Sequence, residues 1–241
     1  MEDGVVEQRP LRAVIIGASS GIGEALARRL SHAGWQLGLA ARRVDKLKQI
    51  VHELGQGHVV RQLDVTHPHE AMTTMDDIIR DLGGMDLLVL CAGTGHLNTE
   101  AVWEPDHDTI AVNVTGFAAL AQHGSRYFMH QHSGHLVGIT SVASLRSSGA
   151  GAAYSASKAF ESFYLDGLRA LVKDRKLPIT VTEIIPGFVD TAMMQAEKPF
   201  WVAQPEKAAE QIYHAIHRKA KRAYITKRWA IIGALLKLLP R

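Results

Sequence analysis

A single cysteine, Cys91, among 241 residues excludes an intrachain disulfide, leaves a cysteine-based zinc site unexpected and points to a reducing compartment. No stretch reaches the roughly 20 consecutive apolar residues that a spanning helix needs. The opening MEDGVVEQRP carries Glu2, Asp3 and Glu7 instead of a basic segment followed by an apolar one, so no secretion signal is read there. A cytoplasmic protein is expected. Acidic residues are missing altogether after Glu210, whereas Arg218, Lys219, Lys221, Arg222, Lys227, Arg228, Lys237 and Arg241 all fall in that stretch. The net charge of +3 therefore belongs to the tail, and no nucleic-acid surface across the whole protein is indicated. Thirteen histidines are present, but the closest groups, His67 with His69 and His130, His132 with His135, fall in expected loops or helix ends. Ligands of a metal need fixed elements and supporting partners, so no metal site is expected.

What the chain does have is a succession of short runs rich in Val, Ile and Leu, alternating with longer segments of helical spacing. That alternation predicts βα units and a mostly parallel sheet. Strands are expected at Leu11 to Ile16, Gln36 to Ala41, His58 to Leu63, Asp86 to Cys91, His135 to Thr140, Ile179 to Ile185 and Ala223 to Thr226. Helices are expected at Gly21 to Ala33, Val44 to Leu54, Glu70 to Leu82, around Ala111 to His130, and at Tyr154 to Lys173, with another beginning near Glu206. The fold class predicted is α/β, a Rossmann-type doubly wound sheet of seven strands with helices on both faces, in a single domain. Its expected divisions are an N-terminal arm over 1–10, the domain over 11–226 with a lid over 186–205, and a C-terminal helical segment over 227–241.

AVIIGASSGIGEALARRL places Gly17, Gly21 and Gly23 where an apolar strand meets a helix. A tight strand-to-helix turn needs glycine, and the helix N-terminus beyond it favours phosphate. Gly17, Ser19, Ser20, Gly21, Ile22 and Gly23 are thus candidates to hold a dinucleotide pyrophosphate. A turn without ligand is the plain alternative, because a glycine pattern alone is weak evidence. About 20 residues further on, where an acid would hold the ribose of NAD, stand Arg42 and Arg43. They suit a 2′-phosphate, so NADP is preferred over NAD, although two arginines on a solvated helix start would look the same. Asp64 and Val65, closing the third strand, are placed for the adenine edge, with Asp64 equally able to cap a helix.

Tyr154 and Lys158 are four apart, on one helical face, and Ser141 precedes them at a strand end. An ammonium favours a neighbouring phenolate and so makes tyrosine a usable acid or base. Ser141 would bind the same substrate oxygen. In this order, after the glycine turn, the set resembles the short-chain dehydrogenase/reductase family over residues 11 to about 226. Ala92 and Gly93 after Cys91, Asn113 in NVTG, and Pro186-Gly187 followed by Thr191 extend the resemblance. It implies that Asn113 supports a water-linked proton relay and that Pro186, Gly187 and Thr191 contact the nicotinamide carboxamide. Ile16 and Cys91 stand where the family commonly has threonine and asparagine, residues that tie the glycine turn to the fourth strand.

Candidate substrate walls are His96, Ser141, Ala143, Phe188, Met193 and Met194, with Phe200 and Trp201. Their apolar character suggests a hydrophobic carbonyl compound, while packing of the lid onto the core would use the same residues. The resemblance also implies a homodimer or homotetramer paired through the helices containing Asn113 to His130 and Tyr154 to Ala170, with Phe117, Leu120, Phe160, Phe163 and Tyr164 as apolar surface, some of which must face the sheet. Trp229 to Leu239, behind a basic segment, is too short to span a bilayer; it packs on protein or lies against an anionic membrane surface. A cofactor-binding sensor or scaffold of the same fold, without turnover, is the alternative to an enzyme.

Overall fold

In the computed structural model, which describes residues 9–194 and 199–238, seven parallel strands form one sheet in the order β3-β2-β1-β4-β5-β6-β7. The strands are β1 (Arg12–Ile16), β2 (Gln36–Ala41), β3 (Val59–Gln62), β4 (Leu87–Leu90), β5 (Gly134–Ile139), β6 (Ile179–Pro186) and β7 (Arg222–Ile225). Between them run α1 (Gly21–His32), α2 (Val44–Leu54), α3 (Pro68–Leu82), α4 (Trp103–Ile110), α5 (Phe117–Gln131), α6 (Ala152–Asp174), α7 (Pro205–His217) and α8 (Trp229–Leu238). A π-helical turn, Ala111–Gly116, joins α4 to α5, and a 3₁₀ turn, Val142–Leu145, follows β5. Most of the arm expected over 1–10, the lid residues 195–198 and the tail residues 239–241 lie outside the described residues. Arg9 is described, and pairs with Asp86 at 2.7 Å.

The central strands are continuous apolar runs because both faces of the sheet are covered. Leu26 and Leu30 of α1, Leu47 of α2, and Ile212 and Ile216 of α7 pack on one face. Met75 and Ile78 of α3, Leu120 and Phe128 of α5, and Leu165 of α6 pack on the other. Approach is close enough to require glycine: a Cβ on Gly38 of β2 would lie 2.2 Å from the Ile78 side chain.

The helix expected from Ala111 begins eight residues earlier, as α4, and reaches α5 through the π-helical turn. Pro105 is accommodated because it occupies the first turn of α4, where a missing N–H costs nothing. Of the apolar residues on these helices, Phe117 and Leu120 are among those that face the sheet and are buried against it. Trp103 and Ile110 of α4, and Phe163 and Leu171 of α6, are large apolar residues left exposed.

Parallel register sets the position of the site. Ile16 pairs with both Ala40 and Leu90, Leu90 with Gly138, and Ile139 with Ile184. The carboxyl ends of β1, β2, β4, β5 and β6 consequently lie along one edge. Strand order reverses between β1 and β4, which opens the crevice where ligands bind in sheets of this kind.

Candidate active site

Leaving β1, the backbone turns at Gly17 (φ +91°) and Gly21 (φ +58°), conformations that favour glycine. A Cβ on Gly17 would lie 2.4 Å from the amide nitrogen of Ala92, and one on Gly23 only 2.3 Å from the Gly17 carbonyl oxygen. The turn is tied sideways as well. Gly17 N–H donates to the Ala40 carbonyl at 2.8 Å and Cys91 N–H to the Ile16 carbonyl at 2.9 Å, and the Gly23 amide lies near the Cys91 thiol. Cys91 thus takes part in the link between turn and β4 despite its departure from the family pattern. Burial pushes its thiol up to about 12, which keeps it neutral and unreactive.

Helix α1 starts at Gly21, and the Ser20 side chain does not cap it. Arg43 instead donates to the Ser19 and Ser20 hydroxyls at 3.0 and 2.6 Å, reaching over the turn from the start of α2. Arg42 is exposed, and its charge helps hold Asp64 below the usual carboxylate range, against a desolvation that works the other way. Asp64 neither caps α3, whose N-cap is His67, nor lies free: its Oδ1 accepts from the Thr66 N–H and hydroxyl at 2.9 and 2.8 Å. Those two bonds also lower its pKa.

Across the crevice, the loop after β4 meets α6. A Cβ on Gly93 would be 3.3 Å from Lys158 Nζ, 3.5 Å from Asn113 Oδ1 and 3.9 Å from the Met193 methyl, so these groups surround one point. On the neighbouring Gly95 it would be 2.6 Å from the Tyr154 ring. Lys158 Nζ stands 5.9 Å from the Tyr154 ring centroid. Asn113 is fully buried in the π-helical turn, a distortion often found at functional sites. Its Oδ1 accepts from Thr94 N–H at 2.9 Å, and its Nδ2 donates to the Thr94 carbonyl at 2.7 Å and the Ser157 hydroxyl at 3.0 Å. Ser157 donates in turn to the Tyr154 carbonyl at 2.8 Å, linking the asparagine to the tyrosine's own helix. Ser141, buried at the end of β5, accepts from Ala143 N–H at 3.1 Å and retains its hydroxyl proton for another partner.

On the open side, Gly187 N–H donates to the Ile225 carbonyl at 2.6 Å, and Thr191 lies against the glycine turn, its methyl 2.9 Å from where a Gly21 Cβ would be. The two ends of the 186–205 segment are joined by backbone bonds from Asp190 to Ala203 and from Ala203 to Phe188, at 2.9 and 3.0 Å. Phe188 packs against Phe200 and Trp229 with ring centroids 5.7 and 5.4 Å apart. Trp229 heads α8, is 3% exposed, and covers Gly187 so closely that a Cβ there would collide with its indole. Helix α8 also rests on the Val142–Leu145 turn. Its Trp229 and Gly233 pack inwards, while Ile231 and Leu235 face outwards. Of the expected substrate walls, Met193 reaches the Gly93 point, Phe188 joins the aromatic cluster, and Ala143 and Met194 are half-buried. His96 is exposed on the loop after β4.

Residues 12–200 match the family model described as short chain dehydrogenase. The chain belongs to the short-chain dehydrogenase family. This dehydrogenase is 34% identical over 209 residues to an uncharacterized oxidoreductase of Staphylococcus aureus, covering 85% of this chain and 90% of the relative. Among solved structures it is similar to an alcohol dehydrogenase from the archaeon Thermococcus sibiricus complexed with 5-hydroxy-NADP, at TM-score 0.77 and 28% identity, over 90% of this chain and 96% of the other. A Burkholderia phymatum short-chain dehydrogenase/reductase in complex with NAD shares the fold at TM-score 0.84 and 20% identity, over 94% and 92% of the two chains. The dehydrogenase is accordingly an oxidoreductase with a Rossmann-like sheet.

Three features fit a dinucleotide in this dehydrogenase: the turn that a Cβ would obstruct, the α1 N-terminus without a side-chain cap, and Arg43 above it. Thr94, Ser157, Glu161 and Trp229 were missed from sequence. Ser157 and Glu161 each sit three residues beyond Tyr154 and Lys158, a helical spacing that could have flagged both. Thr94 contributes backbone only, and nothing local marks Trp229.

Proposed function

We propose that this oxidoreductase transfers a hydride between NADP(H) and a carbonyl or secondary alcohol, with a hydrophobic compound as substrate. The observation that carries the reading is the meeting of Lys158, Asn113 and Met193 around Gly93, beside Tyr154 and across from the glycine turn. Bound nicotinamide supplies or accepts the hydride. The Tyr154 hydroxyl gives a proton to the carbonyl oxygen in reduction and takes it from the alcohol in oxidation. Ser141 donates its free proton to the same oxygen. Lys158, held as an ammonium, stands beside the Tyr154 ring and serves the ribose hydroxyls. Asn113, clamped by Thr94 and Ser157, keeps the relay geometry fixed. Gly17, Gly21 and Gly23 admit the pyrophosphate, Pro186, Gly187 and Thr191 flank the carboxamide, and Asp64 and Val65 flank the adenine.

Initial rates of NADPH consumption across a panel of carbonyl compounds test this. Faster turnover of apolar ketones and aldehydes than of small charged keto acids is expected; the reverse order removes the hydrophobic reading. Binding of NADPH without turnover of any compound would favour a sensor or scaffold.

Arg43, bonded to both serines of the turn, carries the preference for NADP more than Arg42, which makes no bond to the turn. A charge-assisted hydrogen bond is worth about 1.5–3 kcal/mol. Replacing Arg43 by alanine should therefore weaken NADPH binding about 10- to 100-fold relative to NADH, read from dissociation constants. Tighter NADH than NADPH binding by the unmodified enzyme would reject the preference itself.

A further inference from the structure

Lys158 already has a full set of partners. Its ammonium donates to both Glu161 oxygens at 2.9 Å and to the Ile139 carbonyl at 3.1 Å, matching the three donors it possesses. Both side chains are out of solvent: Lys158 is 4% exposed and Glu161 0%.

The surroundings make this carboxylate dependent on that ammonium. Glu183 of β6, also fully buried, adds a second negative charge nearby. Its own oxygens are occupied, Oε1 by the Thr140 hydroxyl at 3.1 Å and Oε2 by Arg222 Nε at 2.6 Å, and Arg222 is shared with Asp166. From the end of β4, Cys91 faces the pair as a neutral thiol. Lys158 is therefore the cation bonded to Glu161, with Tyr154 adding to the stabilisation of its charge. Burial lifts the Glu161 pKa to about 7 even though Lys158 pulls it down, while Lys158 itself is raised because Glu161 and Tyr154 outweigh its desolvation. Any movement of the ammonium towards a ribose would leave a buried carboxylate beside Glu183, a state that neutralises more readily than it persists.

We propose that Glu161 is a positioning residue that holds Lys158 before cofactor binds, and that it takes up a proton when cofactor draws the ammonium away. The inference rests on the cofactor role of Lys158 given under Proposed function. In the exchange Lys158 stays protonated; one O–H bond forms on Glu161, and the proton comes from buffer. Cofactor binding then consumes a proton wherever free Glu161 is ionised, above about pH 7. Binding must weaken as pH rises there, by up to about tenfold per unit for one full proton.

Isothermal titration of NADPH into the whole enzyme at pH 8, in buffers of different ionisation enthalpy, counts the protons directly. At that pH the 2′-phosphate, with a pKa near 6 like other phosphate monoesters, is already ionised and contributes little. The expected result at pH 8 is uptake of most of one proton by the unmodified enzyme and none in Glu161→Gln; at pH 6, where the phosphate itself titrates, the two proteins should give nearly the same count. A carboxamide can still accept from Lys158, so a merely structural role would leave the proton count unaltered by this change. NADPH binding without proton uptake by the unmodified enzyme overturns the inference and leaves the cofactor reading standing, whether or not the variant folds. Uptake that persists in Glu161→Gln also overturns it. Failure of the unmodified enzyme to bind NADPH or NADP at millimolar concentration removes both.

Discussion

Replacing Tyr154 by phenylalanine is expected to lower turnover by about 10²- to 10⁴-fold, the usual contribution of a positioned acid or base, while cofactor affinity stays nearly unchanged. The substitution removes one hydroxyl and keeps the ring that packs against Gly95. It also spares the surrounding bonds. Ser157 donates to the Tyr154 backbone carbonyl, Asn113 is held by Thr94 and Ser157, and Lys158 is bonded to Glu161 and Ile139, none of them through the phenol. A loss confined to kcat, with an unshifted NADPH dissociation constant and melting temperature, would identify the hydroxyl as the proton carrier. Near-native turnover on a verified carbonyl substrate would remove Tyr154 from that role. A drop in cofactor affinity of the same size would mean that the residue acts by holding the site together.

The sheet was legible in the sequence because burial on both faces turns its central strands into uninterrupted apolar runs, LLVL in β4 being the plainest. The glycines, Tyr154 and Lys158 were legible because their chemistry depends on local spacing. Other features depend on which way a side chain faces, and that is decided by tertiary packing. Arg42 and Arg43 are adjacent in sequence, yet Arg43 is the one that reaches Ser19 and Ser20. Glu161 would ordinarily be assigned to a solvated helix face, but three residues beyond Lys158 it turns inwards towards β6. Trp229 belongs to a tail whose composition allowed either protein packing or a membrane surface; its indole lies over Gly187, a distant contact that no local pattern encodes. Phe117 and Leu120 are apolar, but composition does not say which of the helix residues face the core; packing turns these two inwards.

Alanine at Gly17 should be far more damaging than alanine at Gly34, although both glycines have nearly the same positive φ, +91° and +83°. That conformation costs an L-residue about 1–2 kcal/mol, partly offset by about 0.4–1 kcal/mol because alanine stiffens the unfolded chain. At Gly34, in the turn after α1, a Cβ would have nothing within 4 Å. Strain acts alone there, a net loss of no more than about 1.6 kcal/mol, and the melting temperature should fall by no more than about 6 °C. At Gly17 the Cβ would lie 2.4 Å from Ala92 N and 2.7 Å from Ala92 Cα, both backbone atoms. Neither side can easily yield, because β1 and β4 are paired through Ile16 and Leu90 and the turn is bonded to Ala40. Overpacking of this kind adds about 1–3 kcal/mol, sometimes more, so a fall of about 5–15 °C is expected on the same scale. Relief would have to come from displacing the turn relative to Gly93, which would also move the pyrophosphate cradle away from Lys158 and Tyr154. Gly17→Ala should therefore lose NADPH binding even below its melting temperature, whereas Gly34→Ala should bind normally. Thermal denaturation and NADPH titration of the two variants side by side provide the check. Matching melting temperatures and affinities would show that the contact between turn and β4 is looser than the structure has it.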